Sequence, residues 1–252
     1  MELTGASALV TGAGSGLGAA TAAALAAAGA RVVAMDLNAE GLAVLAGQCG
    51  AIPVVGDVAD ADDVAGAVGT AASLGPLRLA VNCAGIAPAA RVVGRNGAHD
   101  LALFEKTLRV NLLGTFNVLR LAAQRMQAQD PAGADGERGL IVNTASIAAE
   151  DGQVGQCAYA ASKAGVMGLT LPAARELAKT GIRVVTIAPG LFETPMLAGL
   201  PDAAQAAIRA LPPFPARLGT PEEFARLVLA ICANPLLNGT TIRFDSALRL
   251  PP

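Results

Sequence analysis

The chain alternates between short apolar runs with strand propensity and longer alanine-rich runs with helix propensity, and this alternation constrains the fold most strongly. Runs such as "SALVTG", "RVVAMD" and "GIRVVTIAPG" lack the apolar–polar alternation of a half-exposed strand. Strands of that kind are typical of a parallel sheet covered by helices on both faces. The pattern therefore predicts a doubly wound (Rossmann) α/β fold with a mostly parallel, seven-stranded sheet. Nothing resembles a linker or a repeat, so we expect a single domain over residues 1–252.

A glycine-rich segment, "TGAGSGLG" at residues 11–18, lies between the first predicted strand and the first predicted helix. Its glycines allow the backbone to turn sharply and approach a pyrophosphate, and the helix behind them offers unpaired N–H groups. A glycine pattern alone is weak evidence in a chain with 29 glycines, but strand, loop and helix stand in the required order. We therefore expect a dinucleotide to be held here by Gly12, Ser15, Gly16, Leu17 and Gly18.

Acidic residues end the next two predicted strands. Asp36 can accept hydrogen bonds from adenosine ribose hydroxyls and would repel a 2′-phosphate. A surface or turn acid is the alternative interpretation, but Ser15 and Leu37 are neutral where an NADP site usually supplies a cation. The sequence therefore favours NAD. In "GDV", Asp57 can reach an adenine amino group, and Val58 follows it.

The single tyrosine of the chain, Tyr159, stands four residues before Lys163 in "YAASK". Residues four apart share a helix face, so the ammonium can stabilise a phenolate and lower the pKa of the phenol from about 10. Ser146 lies at the C-terminal end of a predicted parallel strand, where ligands bind in such sheets. The pattern predicts an acid/base pair with a nearby hydroxyl; a core tyrosine beside an unrelated lysine is the alternative.

Composition argues against several other functions. The formal net charge is −2 with no basic run, which does not favour a nucleic-acid partner. No apolar run approaches the roughly 20 residues of a transmembrane helix, and no signal peptide is evident, so we expect a cytoplasmic protein without membrane association. One histidine and four cysteines without CxxC spacing predict free thiols and no metal site.

Taken together, the motifs resemble the short-chain dehydrogenase/reductase family over nearly the whole chain. The motifs are "TGAGSGLG", "GDV", "NCAG", "VNLLGTFN", "NTAS", "YAASK" and "PGLFET". The resemblance implies that Tyr159 is the acid/base, that Ser146 binds the reacting oxygen and that Lys163 holds the nicotinamide ribose. It also implies that Asn111 anchors a proton-relaying water.

The same resemblance extends the expected cofactor site to Cys83 and Gly85 in "NCAG" and to Phe192 and Thr194 in "PGLFET". Thr194 would hold the nicotinamide amide, with Phe192 nearby. Cys83 is a departure, because the family usually has asparagine there. The ending "DSALRLPP" is another, because the last strand usually ends in glycines.

Both departures resemble one subgroup, the type II 3-hydroxyacyl-CoA dehydrogenases, which are also known as hydroxysteroid dehydrogenases. That resemblance implies NAD-dependent oxidation of a short-chain or branched 3-hydroxyacyl-CoA, with Gln153 and Gln156 near the substrate; their other possible role is to brace the helix that carries Tyr159. Another secondary alcohol, such as a hydroxysteroid or an acyl-carrier-protein thioester, is the main alternative. A non-catalytic NAD sensor is a remote one.

Two further expectations concern the surroundings of the site. Residues 191–215 are apolar enough to cover a substrate, and Arg91, Arg95, Arg209 and Arg217 are candidate partners for CoA phosphates. The long alanine-rich helices around Asn111 and Lys163 have more small-residue surface than one sheet face needs. With the family's usual four-helix interface, they imply a homotetramer.

Overall fold

The computed structural model describes residues 1–95, 97–194, 206 and 208–251, and its centre is a seven-stranded parallel sheet. The strands of this sheet are β1 (Ser7–Thr11), β2 (Arg31–Asp36), β3 (Ile52–Val55), β4 (Leu77–Asn82), β7 (Gly139–Thr144), β8 (Ile182–Pro189) and β9 (Thr241–Phe244). They are ordered β3-β2-β1-β4-β7-β8-β9. The predicted doubly wound fold and its seven strands are confirmed.

Helices connect these strands and cover both faces of the sheet. The helices are α1 (Gly16–Ala27), α2 (Ala39–Cys49), α3 (Ala61–Leu74), α4 (Leu101–Leu108), α5 (Gly114–Gln127), α6 (Ala148–Asp151), α7 (Cys157–Leu177) and α8 (Pro221–Ala233). Polar side chains fix where several of them begin. Asp60, for example, accepts hydrogen bonds from the backbone N–H groups of Asp62 and Asp63 and so caps α3.

The core consists of two layers separated by the sheet. All five residues of β1 are buried, and their side chains alternate between the layers. Ala8 and Val10 pack in the layer that also contains residues of α1, α2 and α8. Leu9 packs in the opposite layer with residues of α3, α5 and α7. Burial on both faces explains why the strand sequences are continuously apolar.

The first three strands extend the sheet in one direction from β1. After β3 the chain returns, and β4 pairs with β1 on the side opposite β2, so the order of the strands reverses between β1 and β4. In doubly wound sheets the ligand-binding crevice forms at such a switch point, outside the carboxyl ends of the strands. The loop that follows β1 and the loop that follows β4 therefore lie where the sequence predicts the cofactor.

One predicted element differs from the structure. The sequence predicts one long helix over most of residues 100–129, but α4 and α5 are separated by a π-helical turn at Arg109–Leu113. A π-turn inserts a residue into the helical repeat and is frequent at functional sites. This turn contains Asn111, so the interruption falls on a predicted catalytic residue.

Two segments near the sheet edge complete the fold. Before α4, a two-stranded antiparallel ribbon pairs β5 (Val93–Gly94) with β6 (Gly97–Ala98), which the sequence did not predict. The predicted substrate-covering segment, residues 191–215, lies partly outside the described residues, because 195–205 and 207 are not among them.

Among the helices that the structure describes, none combines the length and apolarity needed to cross a membrane.

Candidate active site

Two glycines of the loop after β1 occupy positions where no side chain fits. Gly12 has a φ of 65°, and a Cβ there would lie 2.6 Å from the backbone nitrogen of Ala84, beyond β4. A Cβ on Gly18 would lie 2.1 Å from the carbonyl oxygen of Gly12. The loop therefore packs directly against its own helix and against the end of β4. This close packing is the structural requirement behind the "TGAGSGLG" pattern.

The loop leaves the N-terminus of α1 open. Ser15 precedes the helix in an extended conformation, and its side chain makes no capping hydrogen bond. The first N–H groups of the helix, from Gly16 onward, therefore have no capping acceptor there and can bind a pyrophosphate. Beside this N-terminus lies a cleft of about 650 Å³ whose lining includes both Gly16 and Thr194. Two predicted cofactor residues from distant parts of the chain thus come together.

Asp36 is tied into the same loop. One carboxylate oxygen accepts a hydrogen bond from the Gly14 N–H at 2.9 Å, and the other accepts one from the Asn38 N–H at 2.8 Å. Leu37 beside it is 70% exposed and brings no charge. The carboxylate is therefore held at the end of β2 in the position expected for an acceptor of ribose hydroxyls.

Other predicted cofactor residues have roles in the protein itself. Asp57 accepts a hydrogen bond from the Ala59 N–H at 2.9 Å, and Val58 packs so closely on α5 that a Cβ on Gly114 would lie 2.6 Å from it. The ring of Phe192 is buried in the core, with its centroid 5.7 Å from that of Phe244. Since the ring is engaged there, its backbone is the part of Phe192 that remains for a cofactor.

The three predicted catalytic side chains converge at the carboxyl end of β7. Ser146 follows that strand, and Tyr159 and Lys163 lie one turn apart on α7. The ammonium nitrogen of Lys163 lies 5.9 Å from the centroid of the Tyr159 ring and donates a hydrogen bond to the Thr144 carbonyl at 2.8 Å. Ser146 is buried, and its hydroxyl accepts a hydrogen bond from the Ala148 N–H. The geometry therefore brings phenol, hydroxyl and ammonium into one site.

Asn111 joins this group through the π-turn. Its side-chain amide is fully buried and bonds both backbone groups of Ile86, accepting from the N–H at 2.8 Å and donating to the carbonyl at 2.9 Å. It also donates to the hydroxyl of Ser162, which lies on α7 beside Lys163. A Cβ on Gly85 would lie 3.1 Å from the Asn111 Oδ1 atom and 3.4 Å from the Lys163 Nζ atom. Gly85 is therefore packed tightly against two of the predicted catalytic residues.

The electrostatics correct one expectation. Burial lowers the pKa of Lys163 to about 8 and raises that of the neighbouring Cys83 thiol to about 11. Burial also raises the pKa of Tyr159, and hydrogen bonding with Ser146 only partly opposes this. The prediction that the Lys163 ammonium lowers the pKa of the Tyr159 phenol is therefore wrong for the protein without its cofactor. The Lys163 ammonium points at the Thr144 carbonyl instead of the phenol oxygen.

The predicted substrate residues are placed around the edge of the site. Gln153 donates a hydrogen bond to the Pro251 carbonyl at 3.4 Å, and Gln156 precedes α7 without a side-chain capping bond. Of the candidate phosphate-binding arginines, Arg209 pairs with Glu193 and Arg217 pairs with Glu223. The other two, Arg91 and Arg95, are exposed.

Sequence reasoning missed the supporting residues. Ser162 lies inside "YAASK", and its hydroxyl accepts a hydrogen bond from the Asn111 amide. The same hydroxyl donates to the Tyr159 carbonyl at 2.7 Å, so it links Asn111 to α7. Thr144 supplies the carbonyl that orients Lys163. Both lie within motifs already noted for their neighbours.

Within the part of the chain that the structure describes, no cluster of histidine, cysteine or acidic side chains is arranged to hold a metal ion.

The fold and this site together define a dinucleotide-dependent oxidoreductase. The glycine loop, the open N-terminus of α1 and Asp36 fit the pyrophosphate and adenosine ribose of NAD, and Lys163 and Tyr159 are within one site at the adjacent strand end. Bound NAD supplies the hydride acceptor for alcohol oxidation. The titratable groups of the protein handle the accompanying proton.

Comparison with known proteins agrees with this class. The chain belongs to the short chain dehydrogenase family, whose model matches residues 6–205. It is 51% identical to a 3-hydroxyacyl-CoA dehydrogenase type-2 of Drosophila melanogaster, with 98% of each chain covered. It is 48% identical to the human protein of the same name, covering 100% of this chain and 98% of the other. It is thus an enzyme of the oxidoreductase class with NAD as its cofactor.

A solved structure is similar over nearly the same length. The crystal structure of a 3-hydroxyacyl-CoA dehydrogenase type-2 from Mycobacterium avium has a TM-score of 0.94 and 47% sequence identity, with 98% of this chain and 97% of that chain covered. A more distant relative is a 3-oxoacyl-[acyl-carrier-protein] reductase of Thermotoga maritima, at 36% identity over 98% of this chain and 99% of the other.

Proposed function

We propose that the enzyme oxidises the 3-hydroxyl group of a short-chain or branched 3-hydroxyacyl-CoA to the 3-ketoacyl-CoA, reversibly and with NAD. The observation that carries this proposal is full-length identity near one half to relatives that bear that name. The site supports the chemistry, since a hydroxyl, a phenol and a buried ammonium surround one position at the end of β7.

In the proposed reaction, Ser146 and Tyr159 bind the oxygen of the substrate alcohol. The Ser146 Oγ atom already accepts from the Ala148 N–H, so its own hydrogen serves as a donor, to the Tyr159 oxygen in the cofactor-free protein and to the substrate oxygen in the proposed complex. As the phenolate, Tyr159 accepts the hydroxyl proton when the carbon–hydrogen bond breaks, and in the reverse direction the phenol gives that proton to the carbonyl oxygen. Because burial raises the pKa of Tyr159, the phenol of the cofactor-free protein is protonated at neutral pH and must first release its own proton to solvent. The positive charges of Lys163 and of bound NAD would favour that release.

Lys163 and Asn111 support this transfer. The pKa of Lys163, about 8, lies close enough to neutral pH for the ammonium to exchange protons readily. The hydrogen bond to the Thr144 carbonyl holds the Lys163 ammonium next to Gly85. The nicotinamide ribose is expected to lie beside this ammonium. Both N–H donors of the Asn111 amide are used by Ile86 and Ser162, and its oxygen accepts from the Ile86 N–H, so we assign it the role of fixing the π-turn. Any water that relays protons would then be held by other groups of that turn.

The CoA phosphates need cations outside the catalytic pocket. Arg209 and Arg217 already pair with glutamates, whereas Arg91 and Arg95 are exposed next to the β5–β6 ribbon. We assign the phosphates to Arg91 and Arg95 for this reason. Gln153 and Gln156, near the start of α7, remain proposed contacts for the thioester or its pantetheine arm.

We also propose that the enzyme is a homotetramer. A strongly apolar groove of about 380 Å³ lies across the π-turn, α5 and α7. Its lining comprises Leu108, Arg109, Leu112, Leu113, Phe116 and Leu169. Leu113 and Phe116 are each about half exposed, which favours burial against another copy. Sedimentation equilibrium at micromolar concentration tests this; a monomer would contradict it.

The cytoplasmic location expected from the sequence stays a prediction.

A substrate panel tests the proposed function. The panel compares 3-hydroxybutyryl-CoA, its 2-methyl relative, longer 3-hydroxyacyl-CoA esters, a 3-oxoacyl-[acyl-carrier-protein] in the reductive direction and 17β-hydroxysteroids, with NAD(H) and with NADP(H). The highest kcat/KM is expected for a short or branched acyl-CoA with NAD. Higher efficiency on a steroid or on the carrier-protein thioester would replace the proposed substrate. NAD binding without turnover of any alcohol would contradict enzymatic function.

A further inference from the structure

Arg243 lies at the carboxyl end of the sheet, on β9, away from the residues considered so far. Its guanidinium group has five N–H donors, and the structure gives each one a partner. Nε donates to Asp245, Nη1 donates to Glu150 and Asp151, and Nη2 donates to Asp151 and to the Leu248 carbonyl. The Arg243 side chain is only 17% exposed and that of Asp151 only 10%. A saturated guanidinium group at this depth holds its partners in fixed positions.

One of these partners leads to the active site. Asp151 is the last residue of α6, the single helical turn that follows Ser146. The Ala148 N–H at the start of that turn donates to the Ser146 hydroxyl at 3.1 Å, and the Ala149 N–H donates to the Ser146 carbonyl. The position of α6 therefore determines which way the Ser146 hydroxyl points. A helix this short is not stable alone, so it needs an external anchor.

The other partners belong to the C-terminal tail, residues 245–251. Asp245 and the Leu248 carbonyl bind Arg243 directly, and Asp151 accepts a hydrogen bond from the Leu250 N–H at 2.9 Å. The tail begins with two non-glycine residues in the left-handed region, Ser246 (φ 55°) and Ala247 (φ 61°). Such residues persist only where the surrounding structure holds them.

The tail is also packed tightly against the loop that follows β8. The Gly190 N–H donates to the Phe244 carbonyl at 2.9 Å, and a Cβ on Gly190 would lie 2.8 Å from the Asp245 Cα atom. Gly190 begins the loop that carries Phe192 and Thr194. Arg243 thus connects α6, which follows Ser146, with the C-terminal tail and the start of the loop that carries Thr194.

We propose that Arg243 is a positioning residue, which orients the Ser146 hydroxyl through Asp151 and fixes the C-terminal tail as one wall of the substrate site. This inference depends on the proposed function only in the choice of the substrate with which it is tested. Among the described residues, Arg243 makes no hydrogen bond to the glycine loop, to Asp36 or to Lys163, and the loop that carries Thr194 hydrogen-bonds to the backbone beside it, at Phe244. Its loss is therefore expected to affect the alcohol far more than NAD.

The test compares Arg243→Lys and Asp151→Asn with the unchanged enzyme. Lysine keeps the charge but has three donors on a single nitrogen, so it cannot make the five hydrogen bonds of the guanidinium group. Each variant is expected to lower kcat/KM for the best acyl-CoA at least tenfold and to leave the Kd for NAD within twofold. Arg78→Gln is the matched control: Arg78 lies at the amino end of β4, the end of the sheet opposite Arg243, and binds the backbone carbonyls of Asp130, Glu137 and Arg138. This control is expected to lower the Tm with unchanged kcat/KM.

A double-mutant cycle with Ser146→Ala separates positioning from a general loss of structure. If Arg243 acts through Ser146, Arg243→Lys is expected to change kcat less than threefold in the Ser146→Ala background. An equal loss in both backgrounds would overturn the proposal, as would an unchanged kcat/KM or a parallel loss of NAD affinity. If the unchanged enzyme oxidises no acyl-CoA, the proposed function fails, and the same comparison is made with whichever alcohol it does oxidise.

Discussion

Replacing Lys163 with methionine is expected to alter the pH dependence of folding as well as activity. Burial lowers the pKa of Lys163 from 10.5 to about 8, which means that the folded protein holds its proton less tightly than the unfolded chain does. At pH 7 the buried ammonium therefore destabilises the fold by about 3 kcal/mol. Above the folded pKa of about 8 the unfolded state binds more protons at Lys163, so the contribution of Lys163 to the stability of the unchanged protein rises with pH up to about 10.5.

Methionine removes this titration and fills a similar volume. Relative to the Lys163→Met variant, the unchanged protein is expected to gain about 2–3 kcal/mol of unfolding free energy between pH 7 and pH 10. The variant also loses the hydrogen bond to the Thr144 carbonyl, which lowers its unfolding free energy by about 1.5–3 kcal/mol. This loss changes little with pH while Lys163 carries its proton. Activity is expected to be lost, together with NAD affinity.

Urea unfolding of the cofactor-free protein at pH 7, 8, 9 and 10 measures this difference, at one fixed subunit concentration because subunit association affects stability. Lys179→Met is the control, since Lys179 is exposed and its replacement should give a pH-independent difference. A difference between the unchanged protein and Lys163→Met that stays constant within about 0.5 kcal/mol across this range would refute the reasoning. Lys163 would then not be a buried ammonium with a lowered pKa.

Two further predictions concern cofactor choice and acid stability. Asp36 beside neutral Leu37 and Ser15 is expected to favour NAD over NADP by more than tenfold in kcat/KM, or about 1.4 kcal/mol; equal efficiencies would contradict it. The pKa of Glu223 is lowered to about 2, first by its hydrogen bond with Arg217 and then by the Thr220 N–H. Its stabilising effect is present above pH 4.5 and is lost as the pH falls toward 2. Glu223→Gln is therefore expected to cost ~1 kcal/mol at pH 7 and almost nothing near pH 2; thermal unfolding of both proteins at the two pH values measures this.

The sequence was sufficient to predict the parts of the site that local patterns specify. The glycine loop follows from steric rules that act within a few residues, and Tyr159 with Lys163 follows from the helical repeat. The placement of Ser146 at a strand end follows from the order of strands in a parallel sheet. The structure places these residues where those rules predict, although their functional roles stay predictions.

Contacts between distant segments could not be predicted in the same way. The π-turn at Asn111 has no local signal, because it depends on hydrogen bonds to Ile86, 25 residues earlier. The bond between Arg243 and Asp151 spans 92 residues, and the sequence showed only scattered charges. The pKa values of Tyr159 and Lys163 depend on burial, which spacing along a helix does not determine.

The most direct test of the proposed mechanism is the kcat of Tyr159→Phe with 3-hydroxybutyryl-CoA and NAD. This change removes one hydroxyl group and keeps the ring, so unfolding and the Kd for NAD are expected to match those of the unchanged enzyme. Proton transfer by a positioned side chain contributes ~10²–10⁴-fold, and kcat should fall by at least that factor. A Tyr159→Phe enzyme that retains more than about a tenth of the original kcat would contradict the assignment of Tyr159 as the acid/base.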